Sequence, residues 1–196
     1  MIVFVKAPQA GRVKTRLGVD IGMGRAAALF RVLTERTIAE SMKGPWRVML
    51  AVDPPSAMSG FDALWPPRLV RMPQASGDLG ARMGHAFDAA PPGPVVIIGA
   101  DAPGLRTRLL RNALRALRGA DAVFGPATDG GYWLIGLARR RVAPDLFNGV
   151  RWSTKHALAD TLKSLPSAFR IQYLEQLRDI DTAEDLDAVG PCATAR

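Results

Sequence analysis

Cysteine and long apolar runs are scarce in this sequence of 196 residues. Its single cysteine, Cys192, has no partner for an internal disulfide, which predicts a reducing compartment. No apolar run is long enough to span a membrane. Lys6 interrupts the amino-terminal apolar run after a few residues, so no signal peptide is expected. These absences exclude secreted and membrane-spanning classes, and they predict a cytoplasmic protein with no membrane partner.

Positive charge and apolar residues, by contrast, are plentiful. Lysine and arginine outnumber aspartate and glutamate by 26 to 18, which gives a net charge of +8. This balance favours anionic partners, namely nucleotides, phosphorylated metabolites or nucleic acid. Nucleic acid is not indicated, because no aromatic or glycine-rich recognition motif accompanies the arginines of the helix predicted over 107–118. The hydrophobic fraction of 48% and the length predict one domain, 1–196, with a sizeable core.

The amino-terminal stretch is the first candidate ligand site. Residues 2–5 are apolar and mostly β-branched, which predicts a buried strand, and Pro8 and Gly11 then break the pattern. A strand and turn with solvated charges would explain this pattern. A phosphate-binding loop explains it better, because clustered cations repel one another unless an anion is bound. The cations of this loop are Lys6, Arg12, Lys14 and Arg16.

A second candidate follows the run Val95-Val96-Ile97-Ile98, which is typical of a central parallel strand that is covered on both faces. The run leads into Asp101, and a carboxylate just past the carboxyl end of such a strand lies in the ligand crevice of an open α/β sheet. Mg²⁺ beside phosphates commonly uses one or two such carboxylates. A simple turn before Pro103 is an equally good explanation of this run alone.

Two further loops contain polar residues next to glycines. Gln74 and Asp78, with Gly77 between them, could bind a base or ribose, although a plain turn with Asp78 as the N-cap of a helix from about Leu79 explains them without a ligand. In Thr128-Asp129-Gly130-Gly131, Asp129 is a candidate for substrate hydroxyls or metal. A β-hairpin turn is an equally good interpretation there.

The remaining segments predict mostly regular structure. Arg139-Arg140-Arg141 predicts a solvated loop, with a phosphorylated acceptor as the alternative partner. Ser153 or Thr154 is expected to cap a helix over 155–165. Asp179 and Asp181 precede a capping box from Thr182 to Asp185, and one of these carboxylates could reach a metal at Asp101 if the preceding strand is parallel to the central one. We also expect helices over 25–43 and 107–118, and strands over 47–52, 68–72 and 169–174.

Six segments, in this order, resemble a bacterial family of glycosyltransferase-A-like transferases of unassigned function. They are KAPQAGRVKTRL (6–17), SGDLGARM (76–83), GADAPGL (99–105), GPATDGGYWLIGL (125–137), VRWST (150–154) and DIDTAEDL (179–186). The family is part of the nucleotide-diphospho-sugar transferase superfamily, with the molybdenum-cofactor and phospholactate guanylyltransferases as more distant relatives. Two departures are that Gln9-Ala10 stands where a proline is usual before Gly11, and that the tail beyond Leu186 is short, which leaves the oligomeric state open.

The resemblance implies an α/β three-layer sandwich with a Rossmann-like, mostly parallel sheet. It also implies Mg²⁺ (or Mn²⁺) at Asp101 and Asp181. The other site residues fall into three sets. Nucleotide contacts are implied for Lys6, Ala7, Pro8, Gly11, Lys14, Arg16, Gln74, Gly77 and Asp78. Acceptor contacts are expected for Asp129, Gly130, Gly131, Tyr132 and Trp152. Catalytic roles are expected for Lys14, Arg16, Asp101 and Asp129.

The reaction remains open between two kinds of transfer, and both use a nucleotide and a small acceptor. Nucleotidyl transfer from a nucleoside triphosphate to a phosphorylated acceptor is favoured, because the dense positive loop suits a triphosphate. In glycosyl transfer from a nucleotide sugar, Asp129 would be the base. A non-catalytic nucleotide-binding protein is the third interpretation, since a fold does not by itself imply activity.

Overall fold

Short apolar segments form one seven-stranded sheet in the computed structural model, which describes residues 1–61, 63–144 and 146–189. The strand order is β3-β2-β1-β4-β6-β5-β7, and among the described strands β6 alone runs antiparallel to its neighbours. The predicted α/β class with a mostly parallel sheet is therefore confirmed. The strands are β1 (Ile2–Lys6), β2 (Met49–Asp53), β3 (Val70–Pro73), β4 (Val95–Ile98), β5 (Ala122–Pro126), β6 (Tyr132–Leu137) and β7 (Ile171–Tyr173).

Six α-helices are described in addition to a 3-10 turn over Pro55–Met58. They are α1 (Thr15–Ile21), α2 (Met23–Ser41), α3 (Leu79–Ala89), α4 (Thr107–Ala116), α5 (Ala157–Ser164) and α6 (Ala183–Val189). Five of them agree with the predicted helices to within a few residues. The exception is α1, where the sequence predicted a continuous basic loop. Cys192 and the rest of the tail from residue 190 lie outside the described residues.

The alternation of side chains along the strands separates two apolar layers. Val96 and Ile98 of β4 belong to a core that α2 and α4 cover, whereas Val95 and Ile97 point into a core that contains α3. Phe124 and Ile135 extend the second core under α5. The sheet thus lies between helices on both faces, which is the arrangement that a central apolar run predicts.

This topology gives the molecule two chemically different ends. We call the edge where the parallel strands finish the cleft end, and the edge where they begin the far end. β1 leads into residues 7–14 and β4 into residues 99–106, both at the cleft end, while β6 runs from the cleft end to the far end. Chain segments distant in sequence therefore meet at the cleft end, which is where an open α/β sheet binds its ligand.

Two local expectations are corrected by the structure. The helix predicted over 155–165 begins at Ala157, and its N-cap residue is His156, whose side chain makes no capping hydrogen bond. The Thr154 hydroxyl accepts a hydrogen bond of 3.2 Å from the His156 N–H. Arg139, Arg140 and Arg141 lie in a loop in which Arg140 and Arg141 are exposed, as predicted, but the alternative of an acceptor contact does not fit their position. Their guanidinium groups donate to backbone carbonyls of Ala90, Pro91, Leu117, Ala120 and Ala168 at the far end, which is the wrong end of the sheet for an acceptor of the cleft.

Candidate active site

Lys14 occupies the centre of the candidate site. It is the N-cap of α1 and has left-handed backbone angles, φ 46° and ψ 45°, which few non-glycine residues adopt. Two turns precede it, closed by the hydrogen bonds from Gln9 N–H to Ala7 and from Arg12 N–H to Gln9. The left-handed residue thus turns the chain from the loop into the helix.

The Lys14 ammonium joins two carboxylates that are far apart in the sequence. Its Nζ lies 2.7 Å from Asp101 Oδ2 and 2.6 Å from Asp181 Oδ1, and its side chain is only 5% exposed. Burial lowers the pKa of Lys14, but the charges of Asp101 and Asp181 and their hydrogen bonds outweigh it, so the pKa lies above its ordinary value. Lys14 is therefore a positively charged group held between two acids at the end of β4.

Asp179 completes an acidic cluster with Asp101, Asp129 and Asp181. Its Oδ1 is buried and has no hydrogen-bond partner among the described residues. Burial and then the charges of Asp101 and Asp129 raise the pKa of Asp179 to about 8. The sequence analysis considered Asp179 but selected Asp181 as the metal residue. The alternation of Asp179 and Asp181 around the fully buried Ile180 was the signal that both acids share one side of the segment.

These groups open into a cleft of about 670 Å³. The cations Lys6, Arg12 and Arg16 line it together with Lys14, and Lys155 lines it as well. Arg12 and Arg16 form no ion pair with any residue of the described segments, whereas Lys6 lies 3.6 Å from Asp53 Oδ2. The amino-terminal cations and Asp101 thus share one cleft, and Arg12 and Arg16 can still pair with an anion. The sequence analysis did not select Lys155, which lacks a motif of its own.

The loop between β5 and β6 contributes Asp129, Gly131 and Tyr132 to the cleft. Asp129 Oδ1 accepts a hydrogen bond of 2.8 Å from the Gly131 N–H, so the turn holds this carboxylate in place. Gly130 has φ +88°, and a Cβ there would lie 2.3 Å from the Lys155 carbonyl oxygen. Glycine is thus required at 130 for packing against the segment before α5.

Aromatic side chains and one ion pair fix the segment before α5. Trp152 lines the cleft and packs against Tyr132 and Phe147, with ring centroids 6.4 and 5.8 Å away. The Arg151 guanidinium donates to both carboxylate oxygens of Asp160, and these hydrogen bonds lower the pKa of Asp160 to about 2. Burial raises the pKa of the Tyr132 phenol above its ordinary value, so Tyr132 is a neutral wall residue.

Several residues predicted to contact the nucleotide do not line this cleft. The Gln74 amide donates to the carbonyls of Val5 and Ala51, and Asp78 caps α3 by accepting from the Ala81 N–H at 2.9 Å, as the turn-and-cap interpretation expected. Ala7 is buried and lies, like Lys6, beside a smaller cavity of about 310 Å³. Pro8, Gly11 and Gly77 shape their turns without lining the main cleft, Gly11 and Gly77 with φ of 76° and 103°.

The carboxylates offer the hard oxygen ligands that Mg²⁺ and Mn²⁺ prefer. In the described segments no group of three or more acidic, histidine or cysteine side chains is already arranged around a common metal position. Asp101 and Asp181 nevertheless both contact Lys14 Nζ. The buried Oδ1 of Asp179 has no hydrogen-bond partner among the described residues, and a cation could interact with it. The donor set therefore fits a divalent cation at the position that the Lys14 ammonium holds.

Comparison with known proteins finds one family model and several solved structures that are similar to this chain. The family model described as "Uncharacterized protein conserved in bacteria (DUF2064)" matches residues 37–154. No curated protein matches the sequence. A proposed nucleotide-diphospho-sugar transferase from Desulfovibrio desulfuricans has 32% sequence identity and a TM-score of 0.84, with 96% of this chain and 84% of that chain covered.

More distant solved structures share the fold. The inositol-1-phosphate CTP transferase of T. maritima has 12% identity and a TM-score of 0.63, covering 98% of this chain and 94% of its own. Rv0371c of Mycobacterium tuberculosis, solved in complex with manganese, has 18% identity and a TM-score of 0.53, with 96% of each chain covered. None of the described helices is both long enough and apolar enough to cross a membrane.

Proposed function

The chain belongs to the bacterial DUF2064 family, and from this premise we propose that it is a nucleotide-using transferase that depends on a divalent cation. The favoured reaction is nucleotidyl transfer from a nucleoside triphosphate to a small phosphorylated acceptor, with release of pyrophosphate. The named relatives of the fold support the transferase class, since they include a CTP transferase and a proposed nucleotide-diphospho-sugar transferase.

One observation carries the proposal. The Lys14 ammonium, 5% exposed, lies between Asp101 and Asp181 on the wall of a cleft that Arg12 and Arg16 also line. Cations and carboxylates mixed at this density suit a metal-bound polyphosphate, in which the phosphate oxygens neutralise the cations and the metal neutralises the acids. A solvated surface would instead separate like charges or pair each one locally.

The residues divide the work of nucleotidyl transfer between them. An acceptor phosphate oxygen attacks the α-phosphorus of the triphosphate, the bond from that phosphorus to the bridging oxygen breaks, and pyrophosphate leaves with the electron pair. Arg12, Arg16 and Lys14 neutralise the charge on the phosphates, which is the main requirement of such a transfer. Asp101 and Asp181 would hold the divalent cation, which neutralises phosphate charge when bound. No covalent enzyme intermediate is needed.

Glycosyl transfer is the second candidate, and two observations favour it. The Desulfovibrio relative, with the highest identity reported above, is a proposed nucleotide-diphospho-sugar transferase, and Asp129 is exposed in the cleft, where it could accept the proton of an acceptor hydroxyl. In this reaction an acceptor oxygen attacks the anomeric carbon and the nucleoside diphosphate leaves. The same metal and the same cations would serve both reactions.

A thermal-shift screen distinguishes these reactions. Nucleoside triphosphates and nucleotide sugars are added with and without Mg²⁺, and the unfolding temperature is measured. At a hundredfold excess over Kd, a ligand specific for the folded state adds about 2.7 kcal/mol, which raises the unfolding temperature by several degrees. We expect the largest rise with a triphosphate and Mg²⁺. A larger rise with a nucleotide sugar would reverse the order of the two candidates, and no rise with either class would reject both.

A further inference from the structure

The Lys14 ammonium occupies the place between Asp101 and Asp181 where a divalent cation would contact both carboxylates. The two oxygens lie 2.7 and 2.6 Å from Nζ, and the acids are 35% and 44% exposed, so they are more open to solvent than the Lys14 side chain, which is 5% exposed. A divalent cation between these carboxylates would lie against the ammonium, and the two positive charges repel each other. We therefore expect metal binding at this pair to move the ammonium away from at least one carboxylate.

An ammonium displaced by metal alone would be left without compensation. Its side chain is 5% exposed, and removing the partners of a buried charge is strongly unfavourable. The cleft contains other carboxylates, but Asp129 and Asp179 belong to the same acidic cluster that the metal would neutralise. The displaced ammonium thus needs a new anion from outside the protein.

A polyphosphate provides such an anion, and Arg12 and Arg16, unpaired among the described residues, lie ready for it in the same cleft. We propose that Lys14 couples the two ligands: it fills the carboxylate pair in the metal-free protein, and the divalent cation enters only together with a polyphosphate, to which the ammonium transfers. This inference rests on the proposed function and adds a rule of binding to it. Metal without polyphosphate binds weakly, and each ligand strengthens the binding of the other.

The direct test measures Mn²⁺ binding to the protein with no nucleotide present, from the electron paramagnetic resonance signal of free Mn²⁺. The wild-type chain is compared with Lys14→Met, which keeps much of the length and removes the charge. Arg16→Met is the matched control, since Arg16 lines the same cleft and has no contact with either carboxylate. Both substitutions remove one positive charge, so the difference between their Mn²⁺ affinities reports the position of the Lys14 ammonium between the carboxylates and not the overall charge of the cleft.

We expect Lys14→Met to bind Mn²⁺ about tenfold more tightly than the wild type, because the metal then meets no positive charge beside the two carboxylates. Arg16→Met should change the affinity by less than about threefold, as a screened and more distant charge does. Equal Mn²⁺ affinity in the two variants would overturn the proposal and leave Lys14 as a structural link between Asp101 and Asp181. If Lys14→Met does not fold, Lys14→Gln takes its place, and Lys14→Arg, which keeps the charge, should bind Mn²⁺ as weakly as the wild type.

A second arm separates this inference from the proposed function. Inorganic tripolyphosphate is titrated into the wild type with and without Mn²⁺ by calorimetry, with the association of the two in solution subtracted. We expect at least tenfold mutual strengthening in the wild type and less in Lys14→Met. Failure of tripolyphosphate to bind under either condition would count against the proposed function. If tripolyphosphate binds normally and Mn²⁺ also binds tightly to the wild type in the absence of tripolyphosphate, only the coupling through Lys14 is wrong.

Discussion

The two ends of the sheet hold similar charged residues in opposite states. At the far end, Arg139, Arg140 and Arg141 donate to backbone carbonyls, and the buried Asp121 accepts from the Arg170 N–H at 2.9 Å. At the cleft end, Arg12 and Arg16 have no ion-pair partner in the described segments, and Asp179 has an orphaned oxygen. Both ends are rich in charged residues, but those at the far end have partners within the protein, whereas several at the cleft end have none among the described residues. This difference distinguishes a structural cluster from a candidate site.

The shape of the two ends agrees with their charges. The cleft measures about 670 Å³ and the cavity beside Arg139–Arg141 about 330 Å³. The arginines at the far end fix chain ends, since Arg139 and Arg140 donate to the carbonyls of the C-cap residues Ala90 and Leu117 of α3 and α4. We therefore expect substitutions at the cleft end to change activity and substitutions at the far end to change stability.

The largest expected effect tests the cleft end. Asp101→Asn should lower turnover by a factor of about 10² to 10³, because it removes a charge that would hold the metal on the phosphates. Turnover is measured as pyrophosphate release with the triphosphate that the thermal-shift screen selects. Asp88→Asn, an exposed acid beside the far cavity, is the matched control and should keep wild-type turnover. Full activity in Asp101→Asn would remove the metal role from this residue.

The second effect belongs to the far end. Asp121→Ala should lower the free energy of unfolding by about 1–3 kcal/mol, because it leaves the Arg170 N–H and neighbouring arginines without their buried acceptor. Urea denaturation measures this loss. Turnover per folded molecule should stay at the wild-type value, and a parallel loss of turnover would erase the contrast between the ends.

A smaller effect is expected for a single cation of the cleft. Arg16→Ala should weaken triphosphate binding by about three- to tenfold, since it removes one charge-assisted contact with phosphate. Calorimetry at two salt concentrations measures it, and the loss should shrink at high salt. The comparison variant is Arg111→Ala, on the exposed face of α4, whose affinity should equal that of the wild type. Identical affinities in both variants would argue that Arg16 only solubilises the loop.

The smallest effect is one of pH at the far end. The hydrogen bond from the Arg170 N–H comes first among the causes that keep the pKa of Asp121 below its ordinary value, and the nearby arginines add to it against the opposing effect of burial. Because the pKa of Asp121 is lower in the folded chain than in the unfolded chain, where it is about 4, ionised Asp121 stabilises the fold at pH values above about 4. This stabilisation is lost as the pH falls through the pKa of the folded chain. The difference in unfolding free energy between wild type and Asp121→Asn should thus be constant from pH 5 to 7 and shrink below pH 4. A difference that persists unchanged at pH 2 would contradict this origin.

Much of the fold was predictable, because local patterns carry it. The apolar run of β4 with Asp101 behind it and the capping residue Asp78 of α3 were read from a few adjacent residues. The reciprocal hydrogen bonds between Thr182 and Asp185 also follow the predicted capping box. The α1 helix was not predicted, since its seven residues include a glycine and only one fully buried large side chain, Leu17.

The site was harder to predict, because its contacts are not local. Lys14 meets partners 87 and 167 positions away, and no spacing in the sequence measures such a distance. A sequence also does not show which polar groups already have backbone partners, as the Gln74 amide and the Arg140 guanidinium do in the fold. The catalytic roles of Lys14, Arg16, Asp101 and Asp129 stay predictions, and so does the metal role of Asp101 and Asp181. The implied nucleotide contacts of Ala7, Pro8 and Gly11 stay predictions too.

The separation of 167 positions between Lys14 and Asp181 has a consequence for biosynthesis. On the ribosome the amino-terminal half can emerge and begin to fold while Asp181 is still untranslated or inside the exit tunnel. During that interval the lysine has at most one of its two acids. A nascent chain stalled before this point would carry most of the sheet but, at most, the contact of Lys14 with Asp101. The acidic pair around Lys14 would be complete only after the segment with Asp181 had docked.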